Sequence, residues 1–232
     1  MTRPNRIVLP GWVLHVTQRG NHQQVVFFSD NDRLVYLRLL ARICPDHEIA
    51  LIGYNLMDNH VHHVVIPARE HSLAQGIGQR HHDFARWQNI QRNTGGHLWQ
   101  NRFYSCPVEE DRVWGVLSHV ELNPVRARMV ENAWDWEWSS ARAHVSNSDP
   151  SGLLDMNYWL KTFNEMAWRI YLKEREAEKS NPAEIRRVTV MRRFLGSEET
   201  AKRLEREMGK RLLPRRRGRK RNPAAEPVKL VK

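Results

Sequence analysis

Four short segments of the chain combine alternating or continuous apolar positions with β-branched residues, which predicts β-strands. These segments are residues 12–17, 50–55, 55–67 and 99–108. Between and after them, apolar residues recur at helical spacing, which predicts helices at residues 30–44, 71–92 and 109–122. The resulting order β-α-β-β-α-β-α is typical of an α+β fold in which helices pack on an antiparallel sheet.

The pattern changes in the last third of the chain, where no further strand is predicted. Apolar spacing predicts a helix near residues 159–171 and a short amphipathic helix at residues 198–210. We therefore divide the chain into a domain of residues 1–150 and a helical, basic C-terminal extension of residues 151–232. Within the extension we expect the tail at residues 212–232 to be disordered, because it is rich in charge and poor in apolar residues.

Charge is distributed unevenly along the chain, whose formal net charge is +11. Residues 1–180 carry 20 Lys and Arg against 20 Asp and Glu, and residues 181–232 carry 17 against 6, so the final segment holds the whole excess. The densest run is RRRGRKR at residues 215–221. A neutral body with a basic end is typical of a protein that binds a polyanion through phosphate contacts.

The cysteine content and the hydropathy argue against a disulfide-rich protein, a cysteine-based zinc site and a membrane-spanning protein. The two cysteines, Cys44 and Cys106, provide neither a disulfide framework nor a zinc-ligand spacing, which fits a reducing cytoplasm. No apolar run approaches the roughly 18 residues that a membrane-spanning helix needs. We therefore expect a cytoplasmic protein with no membrane partner.

The segment Asn-His-Val-His-His at residues 59–63 is the strongest chemical signal. In a strand, His60 and His62 point to the same face and His63 to the other. Two neighbouring neutral imidazoles can bind one divalent cation. The alternative is an exposed polar face of a strand. We favour the metal site because the pair sits in the sequence MDNHVH before an apolar run and a proline.

Four motifs together resemble the REP-associated tyrosine transposases, which belong to the HUH class of single-strand DNA nucleases and are related to insertion-sequence transposases. They are TQRGN at residues 17–21, MDNHVH at 57–62, LWQNRFY at 98–104 and VELNPVRA at 120–127. The resemblance covers about residues 8–145. It implies an α+β, ferredoxin-like HUH domain, an antiparallel sheet with helices on one face, followed here by the basic C-terminal extension.

The resemblance also implies a metal-dependent chemistry. In the family, the histidine pair and a third polar ligand bind Mg²⁺ or Mn²⁺, and a tyrosine attacks a phosphate of single-stranded DNA. Carried over by position, the metal ligands are His60, His62 and Asn123. The nucleophilic tyrosine is expected four residues before Asn123, where this chain has His119. Tyr104 is the remaining candidate for the nucleophile.

Three functions follow as alternatives. The first is sequence- and hairpin-specific binding of single-stranded DNA with metal-dependent cleavage and rejoining, as in DNA transposition. The second is DNA binding without catalysis, because His119 replaces the tyrosine. The third is hydrolysis of a small phosphoester, which the basic tail disfavours. Relatives are commonly dimers, so a homodimer is a further expectation. The DNA-binding candidates are Arg19, Asn21, Arg102, Arg126, Arg215, Arg216, Arg217, Arg219, Lys220 and Arg221.

Overall fold

A computed structural model describes residues 6–178 and 183–213 of the chain. Four strands form one antiparallel sheet in the order β2-β3-β1-β4. Their bounds are Leu14–Arg19 (β1), Ile49–Met57 (β2), His60–Pro67 (β3) and Tyr104–Pro107 (β4). Helices follow the first and third strands, so the element order is βαββαβ, the ferredoxin-like arrangement. The predicted α+β, ferredoxin-like class is confirmed.

Nine α-helices occur within the described residues. Their bounds are Asp30–Asp46 (α1), Gln79–Gln91 (α2), Val113–Glu121 (α3), Asn123–Arg126 (α4), Ala141–Ser146 (α5), Met156–Leu160 (α6), Glu165–Ala177 (α7), Ala183–Met191 (α8) and Glu198–Met208 (α9). The helix predicted near residues 159–171 is two helices, because the Asn164 side chain accepts a hydrogen bond from the Ala167 amide and starts α7 anew. No pattern predicted α8.

Helices cover both faces of the sheet, which corrects the expectation of helices on one face. Helices α1 and α2 pack on the face that carries His63, where the Tyr36 hydroxyl meets its ring. Helices α3 and α8 pack on the opposite face, where Thr189 of α8 contacts His15. The physical reason lies in β2, whose nearly continuous apolar run is buried on both sides.

Helix α3 lies close to the sheet because β2 has a glycine where the two elements cross. A Cβ atom added at Gly53 would lie 2.2 Å from Leu117 Cδ1. The pairing of β2 with β3 shifts register between Leu51 and Gly53, as in a β-bulge. The Asn55 side-chain amide also donates a hydrogen bond of 2.7 Å to the Val120 carbonyl at the end of α3. These contacts fix the position of α3 over β2, next to the strand that carries the histidine pair.

The C-terminal extension shares the core of the domain. One buried cluster combines Ile52 and Val64 of the sheet with Trp159, Trp168 and Leu172 of the extension. The cluster therefore crosses the proposed boundary at residue 150.

At the centre of this cluster, Glu121 is fully buried at the end of α3. Its Oε1 atom accepts hydrogen bonds from Ser140 Oγ at 2.5 Å and from His144 Nδ1 at 2.6 Å. Its Oε2 atom accepts one from Trp168 Nε1 of α7 at 2.9 Å. This buried acid joins α3, α5 and α7 through directional bonds.

The end of the described chain is packed against α9. Leu212 is fully buried, and the Leu212 and Leu213 amides both donate to Glu205 Oε1, at 2.7 and 2.8 Å. The basic run at residues 215–221 lies outside the described residues. Within residues 6–178 and 183–213, no helix is both long enough and apolar enough to cross a membrane.

Candidate metal centre

Strand β3 places His60 and His62 side by side, as the alternation of the sequence predicts. Their ring centroids are 5.0 Å apart. The His60 Nδ1 atom hydrogen-bonds Asn59 Oδ1 at 2.6 Å, which leaves its Nε2 atom for another partner. Burial, together with the charges of Arg19 and Arg186, lowers the pKa of His60 to about 4. His60 is therefore neutral near pH 7, as a metal ligand must be.

A third histidine, which sequence analysis did not select, completes the row. His15 of β1 stacks on His62 with ring centroids 5.1 Å apart, and its Nε2 atom lies 2.8 Å from His62 Nδ1. Burial lowers the pKa of His15 to about 4. The sequence did indicate part of this arrangement, because the alternation along β1 places His15 and Thr17 on one face. Only the register, in which Thr17 pairs with His62, shows that this face carries the histidine pair.

His119 of α3 approaches the row from above. Its ring centroid lies 6.0 Å from that of His62 and 6.2 Å from that of His15, with the ring planes nearly perpendicular. Arg126 Nη1 lies 3.3 Å from His119 Nδ1 and 2.9 Å from the His119 carbonyl oxygen. Arginine only donates, so Nδ1 accepts and the ring hydrogen resides on Nε2. That buried Nε2 atom has no hydrogen-bond partner among the described residues.

Asn123, the proposed third ligand, follows one turn after His119. Its side-chain nitrogen donates to the carbonyl oxygens of His119 and Val120, at 3.0 and 3.4 Å. These bonds orient the amide and leave its oxygen as the atom that can accept from water or bind a cation.

The two histidines fit a weakly held divalent cation. Burial lowers the pKa of His62 well below its usual range, and neighbouring His60 and His15 lower it further. Both imidazoles are therefore neutral, and the Nδ1 atom of each is already hydrogen-bonded. Within the described part of the chain, no group of three or more His, Cys, Asp or Glu side chains could hold a metal ion. The remaining coordination positions would fall to the amide oxygen, water or substrate oxygens.

About half of the chain matches a known protein family. Residues 11–122 match the model of the family described as "Transposase IS200 like". This part of the chain belongs to the IS200-like transposase family. The family predicted from the four motifs is thereby confirmed, and the matched residues contain all four strands, His60, His62 and His119. A comparison with curated proteins finds no significant match.

Two solved structures are similar to this chain. The first is a REP-associated tyrosine transposase bound to a REP hairpin, with a TM-score of 0.51 and 17% identity over 67% of this chain and 90% of that one. The second is a proposed transposase from Deinococcus radiodurans R1, with a TM-score of 0.37 and 16% identity over 52% of this chain and 96% of that one. At 17% identity, the similarity to the REP-associated tyrosine transposase shows a shared fold and no more.

Tyr104 of the transposase domain lies on the same face as the histidine row. It pairs with Thr17, which in turn pairs with His62, so the three residues form one line across β4, β1 and β3. Two strand spacings of about 4.8 Å separate the backbones of Tyr104 and His62 by roughly 10 Å. The Arg192 guanidinium lies 4.9 Å above the Tyr104 ring. Tyr104, the remaining candidate for the nucleophile, therefore shares one face of the sheet with His62.

The candidate DNA-binding residues fall into two groups in the transposase domain. Arg19 lies opposite His60 in the sheet, and Arg126 contacts His119, so both are close to the histidine site. Arg102 lines a separate groove of about 1210 Å³, together with Leu98, whose carbonyl accepts the backbone amide of Asn21 at 2.8 Å. The six basic residues between Arg215 and Arg221 lie outside the described residues.

On the other face of the sheet, a second polar cluster is sealed from solvent. The Tyr36 hydroxyl lies 3.1 Å from His63 Nε2 and 2.7 Å from His81 Nε2. His63 therefore has a side-chain hydrogen-bond partner in Tyr36. This cluster lies on the opposite sheet face from His60 and His62, because neighbouring residues of β3 point to opposite faces.

Proposed function

We propose that this protein binds single-stranded DNA that forms a hairpin, with the scissile or flanking phosphate next to His60 and His62. The observation that supports this function is the convergence of His60, His62 and His119 on one sheet face, in a chain of the IS200-like family. One solved structure with a similar fold is a REP-associated tyrosine transposase bound to a REP hairpin. Arg19 and Arg126 add positive charge where the phosphate backbone would lie.

The chain's own groups favour phosphate binding over covalent catalysis at position 119. A bound Mg²⁺ or Mn²⁺ would polarise a phosphate and neutralise its charge. His119 carries its hydrogen on Nε2, so it donates a hydrogen bond to a phosphate oxygen and offers no lone pair there as a ligand or base. It also lacks the hydroxyl that forms a stable phosphate ester. We infer that position 119 supports DNA binding without acting as a nucleophile.

Metal binding is tested by calorimetry with Mn²⁺. We expect micromolar or weaker affinity, with Mn²⁺ preferred over Mg²⁺ because imidazole is a softer ligand than oxygen. The double variant His60→Ala/His62→Ala should lose this binding. The matched control is His82→Ala, which removes an exposed imidazole from the distant groove. Equal Mn²⁺ uptake by the wild type and the double variant would refute the assignment.

A second candidate function, strand cleavage through Tyr104, is favoured by the line His62–Thr17–Tyr104 across the sheet. Denaturing gels of the protein with labelled hairpin DNA and Mn²⁺ distinguish the two functions. For the binding function we expect no covalent adduct from the wild type, and a new adduct from His119→Tyr. An adduct from the wild type that disappears in Tyr104→Phe would establish Tyr104 as the nucleophile instead.

Two further parts of the proposal have their own measurements. Preference for a particular hairpin is measured by competition between hairpins that differ in loop or flanking bases. Association into a homodimer, which we include because relatives are commonly dimers, is measured by sedimentation equilibrium. A monomer at all accessible concentrations would remove the dimer from the proposal and leave DNA binding in place.

A further inference from the structure

We infer that Thr189 and His15 form a hydrogen-bond relay that fixes the protonated nitrogen of His62 and thereby prepares its Nε2 atom as the metal-binding atom. This inference rests on the proposed metal-binding role of His62. Thr189 lies on α8 of the C-terminal extension, outside residues 11–122 that match the family model. The extension would thus contribute a positioning residue to the site.

The relay begins at the Thr189 hydroxyl, whose hydrogen-bonding capacity is fully used. Its single hydrogen is donated to the Ile185 carbonyl, one helical turn earlier, at 2.7 Å. Its oxygen lies 2.9 Å from His15 Nδ1 and 3.2 Å from Cys106 Sγ. Burial raises the pKa of the Cys106 thiol to about 12, so Cys106 keeps its hydrogen and donates it. With one bond donated and two accepted, the hydroxyl is saturated.

The direction of each following bond is then determined. Since the Thr189 hydrogen points to Ile185, His15 must donate from Nδ1. A neutral imidazole carries one hydrogen, so His15 Nε2 is bare and accepts. The 2.8 Å contact therefore requires that His62 donates from Nδ1. His62 Nε2 is left with a free lone pair, which is the atom a divalent cation needs.

The opposite arrangement would disable the ligand. If His15 donated from Nε2, then His62 Nδ1 would accept and its hydrogen would move to Nε2, where it would block a metal. His15 Nδ1 would then face the Thr189 oxygen without a shared hydrogen, which is costly in a site where both residues are about 1% exposed. Removal of the group that hydrogen-bonds a metal-bound histidine typically lowers metal affinity about 10–100-fold.

The test uses the full chain and reads the tautomer without metal. Long-range ¹H–¹⁵N correlation spectra of the histidine side chains separate protonated from bare ring nitrogens. We expect His62 to be protonated at Nδ1 in the wild type. Thr189→Val keeps the shape and removes the acceptor, so we expect hydrogen on His62 Nε2 in part or all of the molecules. It should also weaken Mn²⁺ binding about 10–100-fold.

Two matched variants separate the relay from packing. Thr189→Ser restores the hydroxyl and should restore both the tautomer and the Mn²⁺ affinity. Cys106→Ala removes the neighbouring thiol but leaves the Thr189 hydroxyl, and both should stay as in the wild type. Circular dichroism of each variant tests whether the fold is retained.

The outcomes distinguish the relay from the proposed function. A wild type protonated at His62 Nε2 overturns the relay, whatever its metal affinity. Unchanged tautomer and Mn²⁺ affinity in Thr189→Val would also overturn it. A wild type protonated at Nδ1 that binds no Mn²⁺ supports the relay as a structural device and refutes the metal site.

Discussion

The hydrogen bond between Trp168 and Glu121 should be a measurable part of the stability that joins the C-terminal extension to the transposase domain. The perturbation is Trp168→Phe, which removes the indole N–H that donates to Glu121 Oε2 at 2.9 Å. Glu121 is fully buried, so no water replaces the lost donor. Loss of the donor leaves a buried acceptor unsatisfied, which costs about 1–3 kcal/mol.

The chain offers a matched control in Trp159, a neighbour in the same buried cluster. Trp159 is also fully buried, but its Nε1 atom has no hydrogen-bond partner among the described residues. Trp159→Phe therefore loses a similar volume while removing an unsatisfied donor, which offsets about 1–3 kcal/mol of the packing loss. We expect Trp168→Phe to be less stable than Trp159→Phe by at least about 2 kcal/mol.

The assay is urea unfolding followed by far-ultraviolet circular dichroism, because tryptophan fluorescence changes with the substitutions themselves. In thermal unfolding the same difference corresponds to a Tm gap of about 4–8 °C, at about 2–4 °C per kcal/mol for a chain of this size. In a Glu121→Leu background, the extra penalty of Trp168→Phe should vanish. Equal stabilities of the two single variants, or a less stable Trp159→Phe, would refute the reasoning.

Three further predictions concern packing, electrostatics and pH. Gly53→Ala should destabilise the fold by about 1–3 kcal/mol through overpacking against Leu117, whereas Gly95→Ala, with open space around its Cβ position, should not; urea unfolding of both decides this. Deletion of residues 214–232 removes six Lys and Arg between positions 215 and 221. If half of them contact phosphate, the slope of log DNA affinity against log salt concentration should become about 2 units less steep. An unchanged slope would show that these residues do not contact the DNA backbone. Burial, with His63 and Arg6 nearby, holds the pKa of His81 well below its usual range. The unfolded chain therefore binds one more proton at this residue as pH falls below about 6.5, and stability is lost on acidification. In urea titrations, His81→Gln should reduce the slope of stability against pH by about 0.7 kcal/mol per pH unit at pH 6.5, rising to about 1.3 at pH 5.

Local patterns predicted much of the domain. Ser29 and Ser197 start α1 and α9 through side-chain acceptance from the amides three residues later, as their positions before apolar stripes indicate. The His-Val-His spacing placed His60 and His62 on one face because strand geometry has a strict period of two. The spacing of His119 and Asn123 placed both on one side of a helix turn. Each of these inferences depends on residues a few positions apart.

The features that were missed depend on residues far apart in sequence. His15 joins the site only through the register of β1 with β3, and Thr189 joins it across 174 residues. Helix α8 was not predicted because its sequence AEIRRVTVM contains β-branched residues of low helix propensity, which packing against the sheet overrides. Helices on both faces of the sheet could have been predicted from the sequence of β2, because its nearly continuous apolar run is typical of a strand buried on both faces.

The span of 174 residues between His15 and Thr189 also orders the events of folding. The hairpin of β2 and β3 closes over a turn of two residues, so it pays little loop entropy and can form first. The contact between α8 and β1 can form only after nearly the whole chain has collapsed, and contacts of such separation form slowly. Sheet formation and the ordering of the His62 ring should therefore be separate kinetic phases. A newly made molecule would then have its sheet before the proposed metal-binding atom is prepared.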